Sequence, residues 1–184
     1  MAENAYVYGI DLSKSRIEFA SLVCRELSFS NIRWLVGSAE ILPFSADRFD
    51  ITLCSDVVEH LAHPDQCFAE MFRVLKPGGV AIVTTPNATS RIPWLVQLVK
   101  RPKPLQKTDI EDHISLKGIA EWIAIARAAG FSVAKVKRGA LLFGGSKMNQ
   151  YPCAFAVSIL VDRLFDLVPF TTNWGEAITL KLNK

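Results

Sequence analysis

Short apolar runs and helical stripes take turns along this chain. Residues 5–11 (AYVYGID) read as an apolar strand that ends in an acid. Ser13 stands where a helix cap belongs. Ile17, Ala20, Val23, Cys24 and Leu27 then recur at helical spacing, which predicts the buried face of a first helix. Arg33 to Val36 is a short strand. Phe49, Ile51, Leu53 and Cys54 form the next, dense enough in apolar residues for a buried strand. Pro64 is a residue favoured at the first helical position. After it, Cys67, Phe68, Met71, Phe72 and Leu75 place one apolar face on a second helix. Lys76-Pro77-Gly78-Gly79 stops that helix and turns the chain. Val80 to Thr85 carries no charge and suits a central parallel strand covered on both faces. Strand, crossover helix and strand make a βαβ unit, right-handed by the general rule.

The pattern continues beyond residue 108. Ser115 is read as the cap of a helix bearing Ile119, Trp122, Ile123 and Ala126, with Gly130 just past its last turn. Phe131 to Lys137 alternates as an outer strand does. Residues 139–152 are loop, an amphipathic helix runs to Leu167, and residues 175–182 close the chain as a last strand. These elements predict one α/β domain over residues 1–184.

Composition narrows the class only a little. The chain has 184 residues, half of them hydrophobic and 21% charged, an ordinary globular balance with an ample core. A net charge of +3 is too small to argue for nucleic acid. The four cysteines (Cys24, Cys54, Cys67, Cys153) form no C-x-x-C pair, and three of them lie in apolar stretches and read as small core residues of a reducing compartment. No basic-then-apolar leader opens the sequence, so the expected location is cytoplasmic. The segment 154–170 is broken by Asp162, Arg163 and Asp166, so it falls short of the roughly 20 apolar residues of a spanning helix.

One stretch differs in character. Residues 88–107 hold Arg91, Lys100, Arg101, Lys103 and Lys107 and no acid, interleaved with Ile92, Trp94, Leu95, Val96, Leu98 and Val99. A basic segment with such an apolar face can lie on a membrane or cap a greasy substrate. It can also be a surface insertion packed on the domain.

In open α/β sheets, ligands sit at the carboxyl ends of strands, and candidate chemistry gathers there. Asp11 ends the first strand and can accept both hydroxyls of a ribose, or simply favour a helix N-terminus through its dipole. Ser38-Ala39-Glu40 can read an adenine edge or be a plain turn. Asp56, Glu59 and His60 can bind a divalent cation through oxygen and imidazole, or supply a general base, or form a solvated loop. His113 beside Asp112 is a separate base candidate, since a carboxylate can hold an imidazole in one tautomer. His63, before Pro64, reads as a helix-start residue.

Four stretches together carry a resemblance. They are Tyr8 to Ser13, Gly37 to Phe44, Phe49-Asp50 through Val58-Glu59-His60-Leu61, and Val74 to Gly79. In this order and spacing they resemble class I S-adenosylmethionine-dependent methyltransferases. The subgroup they are most similar to is the small-molecule type (methyltransferase type 11) that includes ubiquinone-biosynthesis O-methyltransferases. The resemblance covers about residues 5 to 138. It implies a Rossmann-like, mostly parallel sheet with helices on both faces and an antiparallel last strand.

The resemblance also implies roles. Asp11 would bind the ribose hydroxyls of S-adenosyl-L-methionine and Leu12 would pack on the adenine. Ser38 and Ala39 would meet the adenine edge, and Ser55 would lie near the methionine part. Asp56, Glu59 and His60 match an acid-x-x-Glu-His metal element, with Asp where the family has the longer Glu. His60 or His113 would be the base. The insertion at 88–107 would lie where the family often builds its acceptor site. Its own apolar and basic character suggests a hydrophobic or lipid-linked small-molecule acceptor, with peripheral membrane contact the reading already drawn from that character.

One departure stands out. The family's first strand and its D-x-G-x-G loop precede the acid strand. Here ten residues precede Asp11, with Gly9 as the one glycine among them. The expectation is an N-terminally truncated domain, a decayed copy, or a domain whose missing strand a partner chain supplies. Two other classes compete. A nicotinamide-dependent enzyme would need a G-x-G-x-x-G before the acid strand, which is not here. A non-catalytic binding protein that kept the fold is favoured by the missing loop.

Overall fold

A computed structural model describes residues 5–88, 114–139 and 177–184. The expectations for 89–107, His113, Cys153 and the helix to Leu167 lie outside the described residues. In chain order the elements are β1 (Val7–Asp11), α1 (Lys14–Glu26), β2 (Ile32–Val36), β3 (Phe49–Ser55), a 3-10 turn (Val58–His60), α2 (Pro64–Val74), β4 (Leu75–Pro86), α3 (Ile119–Ala128), β5 (Ser132–Gly139) and β6 (Ala177–Asn183).

The α/β architecture is the expected one. β1 pairs with β2 in parallel and β3 with β4 in parallel. β6 lies antiparallel between β4 and β5, so β3, β4 and β5 all run one way. The strands nevertheless form two sheets, β1-β2 and β3-β4-β6-β5. No described strand joins them. Instead, at the amino ends of β1 and β3, side chains meet. Tyr8, Phe44 and Phe49 pack edge to face with ring centroids 4.8–5.7 Å apart. Arg48 covers all three rings and donates to the Tyr8 hydroxyl at 3.0 Å.

The core lies on one face of the four-stranded sheet. Ala81 and Val83 of β4 pair with Leu182 and Leu180 of β6, and all four are buried. Against them pack Cys67, Phe68 and Met71 of α2 and Trp122 and Ala126 of α3. Phe68 stacks on Trp122 with centroids 6.1 Å apart. The opposite face carries Ile51 and Leu53, 64% and 68% exposed, so β3 is not the buried strand that its apolar run predicts: it is covered on the Cys54 side alone. No described helix is long and apolar enough to cross a membrane.

Three local expectations are corrected. α1 buries Ile17, but Val23 and Leu27 of its expected inner face are exposed, as are Phe19 and Leu22. A two-stranded ladder is narrower than the helix it carries, so much of the apolar stripe stays uncovered. Lys76 to Gly79 does not separate helix from strand. These residues belong to β4 as an irregularity in its ladder, between Leu75 opposite Phe49 and Val80 opposite Ile51. Ser115 does not cap α3. Its hydroxyl donates to Leu61 O at 2.7 Å, and Gly118 holds the cap position, its N–H donating to Glu121 Oε2 at 2.9 Å. The helix ends as expected at Gly130, in the left-handed region at φ 105°.

Candidate functional site

Asp11 and the loop after β2 sit side by side because β1 and β2 pair in register up to Asp11 and Val36. Gly37 N–H then donates to Asp11 O at 3.1 Å, carrying the ladder one step past the strands. Asp11 is anchored by its own helix. Ser13 N–H donates to its Oδ1 at 2.7 Å, and Arg16 approaches Oδ2 at 3.7 Å. Ser13 Oγ accepts from Arg16 N–H as the cap of α1, as expected. Leu12 is exposed at the same strand end. Ser38 Oγ accepts from Glu40 N–H at 3.1 Å, and Ile41 N–H donates to Ser38 O. Ser38 and Ala39 therefore form a tight polar turn two and three residues beyond β2.

A second group lies at the carboxyl end of β3. Ser55 Oγ is 2.8 Å from Thr84 Oγ1 on the neighbouring strand. Asp56 follows with φ 51°, in the left-handed region, and its N–H donates to Thr84 O at 3.0 Å. Asp is among the residues that tolerate this conformation. Unusual backbone of this kind gathers at functional strand ends.

The divalent-cation expectation for Asp56, Glu59 and His60 is corrected. No group of three potential metal-ligating side chains occurs among the described residues. Glu59 is 1% exposed, and its Oε2 accepts from Thr85 Oγ1 at 3.0 Å inside the fold. Asp56 is on the surface. The buried carboxylate is a structural anchor: it ties the 3-10 turn to β4, and Ser115 N–H binds the same residue's backbone oxygen at 2.9 Å. His60 is partly exposed, with Nε2 3.9 Å from Glu59 Oε1. That is an ion-pair distance only when the imidazole is protonated. His60 keeps a place at the carboxyl edge of the sheet, while His113 lies outside the described residues. His63 is the residue before α2, as expected.

Sequence reasoning missed the residues that hold the Ser38 turn. Glu70 and Arg73 of α2 form a two-pronged pair at 2.6 and 2.7 Å. Glu70 Oε2 also accepts from Leu42 N–H at 2.7 Å, while Arg73 donates to Phe44 O at 2.7 Å and Leu42 O at 3.1 Å. The Arg73 guanidinium holds the Glu70 carboxyl below its ordinary range, and Glu70 in turn raises Arg73. Glu40 Oε1 accepts from His63 N–H at 2.7 Å. The signal was available: Glu70 and Arg73 stand three apart on one helix face, a spacing at which side chains meet.

Cys54 and Cys67 are buried. The Cys67 thiol is pushed far up by its hydrogen bond with Cys54 and by burial, so it stays protonated.

The sequence profile of a methyltransferase domain family matches residues 1–130. A Bacillus subtilis methyltransferase, YcgJ, is 31% identical over 120 residues, covering 65% of this chain and 46% of that protein. The mitochondrial 2-methoxy-6-polyprenyl-1,4-benzoquinol methylase of Caenorhabditis elegans is 28% identical over 154 residues, covering 77% of this chain and 52% of its own. The chain thus spans about half the length of these two relatives. The crystal structure of YcgJ superposes with a TM-score of 0.60 at 22% identity, over 97% of this chain and 80% of that one. With its profile match spanning most of the sequence, the chain belongs to the methyltransferase domain family.

Proposed function

We propose that the chain binds the nucleoside half of S-adenosyl-L-methionine and takes part in methyl transfer to a small hydrophobic or lipid-linked acceptor. One observation carries this reading. Asp11 and the Ser38-Ala39 turn are locked next to each other at the carboxyl ends of paired parallel strands by the Gly37-to-Asp11 hydrogen bond. A carboxylate there matches the two hydroxyls of a ribose, and a tight polar turn beside it matches the edge of a flat base. Leu12, exposed beside Asp11, offers that base an apolar face.

The donor would bring an already activated sulfonium methyl. The protein's part is then mostly positioning. Ser55, at the end of β3, would lie toward the methionine portion. His60 would take the proton of a hydroxyl acceptor, and His113 is the other candidate base. The acceptor class rests on the basic, apolar run 88–107, and on a relative named for a polyprenyl benzoquinol. The same run is the proposed site of peripheral membrane contact.

The residues present fit the ribose and base better than the methionine end. Gly9 is the only glycine of β1, and it serves packing, because a Cβ there would enter the Trp34 ring. The separate sheets favour a second reading, a non-catalytic or incomplete domain that needs one more strand, from its own polypeptide or a partner chain, between β1 and β3. Calorimetric titration with S-adenosylhomocysteine tests the first reading. Micromolar binding by the folded chain, abolished in Asp11→Asn, supports it. A folded chain that shows no heat of binding refutes it and favours the second.

A further inference from the structure

We infer that Glu70 and Arg73 of α2 are positioning residues for base recognition, acting through the Ser38–Phe44 loop. The inference deepens the donor-binding reading and rests on it. A loop that must read a base edge needs its own backbone fixed. The β-ladder fixes only its start, at Gly37. Beyond that point the loop is tied to α2. Leu42 gives its N–H to Glu70 and its carbonyl to Arg73, and Phe44 gives its carbonyl to Arg73. Glu40, next to the turn, accepts from His63 N–H just before the same helix. The carboxylate and guanidinium bind each other through both prongs, which leaves each a fixed orientation for its remaining bonds. Past the loop the chain still follows α2, with Asp47 and Arg48 N–H donating to Arg73 O and Val74 O.

The arrangement makes α2 a template for the turn. Lys in place of Arg73 would keep the charge and lose the planar fork that reaches Glu70, Leu42 and Phe44 together. Its loss would loosen Leu42 and let Ser38 and Ala39 drift, with little change to the buried face of α2, where Cys67, Phe68 and Met71 lie.

The test uses the full chain with Arg73→Lys and Glu70→Gln. Lys76→Met, which removes the exposed Lys76–Asp50 pair at 2.8 Å, is the control. Two readouts are needed. In the ligand-free chain, hydrogen exchange at the Leu42 amide should rise about tenfold in both loop variants, the scale of one charged hydrogen bond, and stay unchanged in the control. In binding, the preference for S-adenosylhomocysteine over its deaminated inosine analogue should fall about tenfold in both variants. A purely structural role would weaken both ligands equally and leave the ratio intact, which overturns the proposal. Unchanged exchange at Leu42 also overturns it. A wild-type chain that binds neither ligand refutes the donor-binding reading itself, and the exchange measurement then decides whether the clasp exists.

Discussion

Glu59 carries a carboxyl group that water barely reaches, and Thr85 is its side-chain partner at 3.0 Å. Replacing Thr85 with Val keeps the shape and removes the donor. The buried acceptor then loses its bond, so the chain should lose about 1–3 kcal/mol of stability in urea unfolding. A variant as stable as the parent would mean that Glu59 turns outward in solution. The sequence pattern placed Asp56, Glu59 and His60 at the right end of the right strand, but it could not show which way each side chain points. In a 3-10 turn successive residues diverge by about a third of a rotation. Glu59 therefore faces inward while its neighbour His60 faces out. One clue was legible: Thr85 shares a face of β4 with Ala81 and Val83, and a hydroxyl in that buried row needs a partner.

At the scale of elements, α2 was the most readable. Pro64 starts it, and Cys67, Phe68 and Met71 of its expected face are buried, while Phe72 is half-buried and Leu75 is already the first residue of β4. α1 was misread because periodicity reports an apolar stripe, not the width of the surface available to cover it. The side of α2 that faces the Ser38–Phe44 loop holds the interaction that pH can probe. Glu70 has a folded-state pKa below its unfolded value because of Arg73. It therefore contributes stability fully above the ordinary carboxylate value of about 4.3, and that contribution fades as pH falls through the depressed folded value. Glu70→Gln should lower the melting temperature near neutrality. The gap from wild type should shrink as pH drops below about 4. Circular-dichroism melts across that range check it. A gap that stays constant, or widens in acid, would show that the pair is not formed.

At the scale of the molecule, the sequence led to the βαβ unit, the last strand and the family, because each is written in local pattern. The break into two sheets is not local. It depends on whether a strand lies between β1 and β3, and no periodicity within either strand reports its neighbour. The consequence is measurable by comparing two leucines. Leu180 is fully buried between β4 and β5, while Leu53 on β3 is 68% exposed. Leu180→Ala should cost about 2–5 kcal/mol through lost burial and a cavity. Leu53→Ala should stay within about 0.5 kcal/mol, as exposed substitutions do. The pair must be measured at several protein concentrations. Equal, concentration-independent costs would mean that another part of this chain covers Leu53. A Leu53 cost that appears only at high concentration would mean that a second copy covers it. A small and constant Leu53 cost would leave β3 with the open apolar face described here.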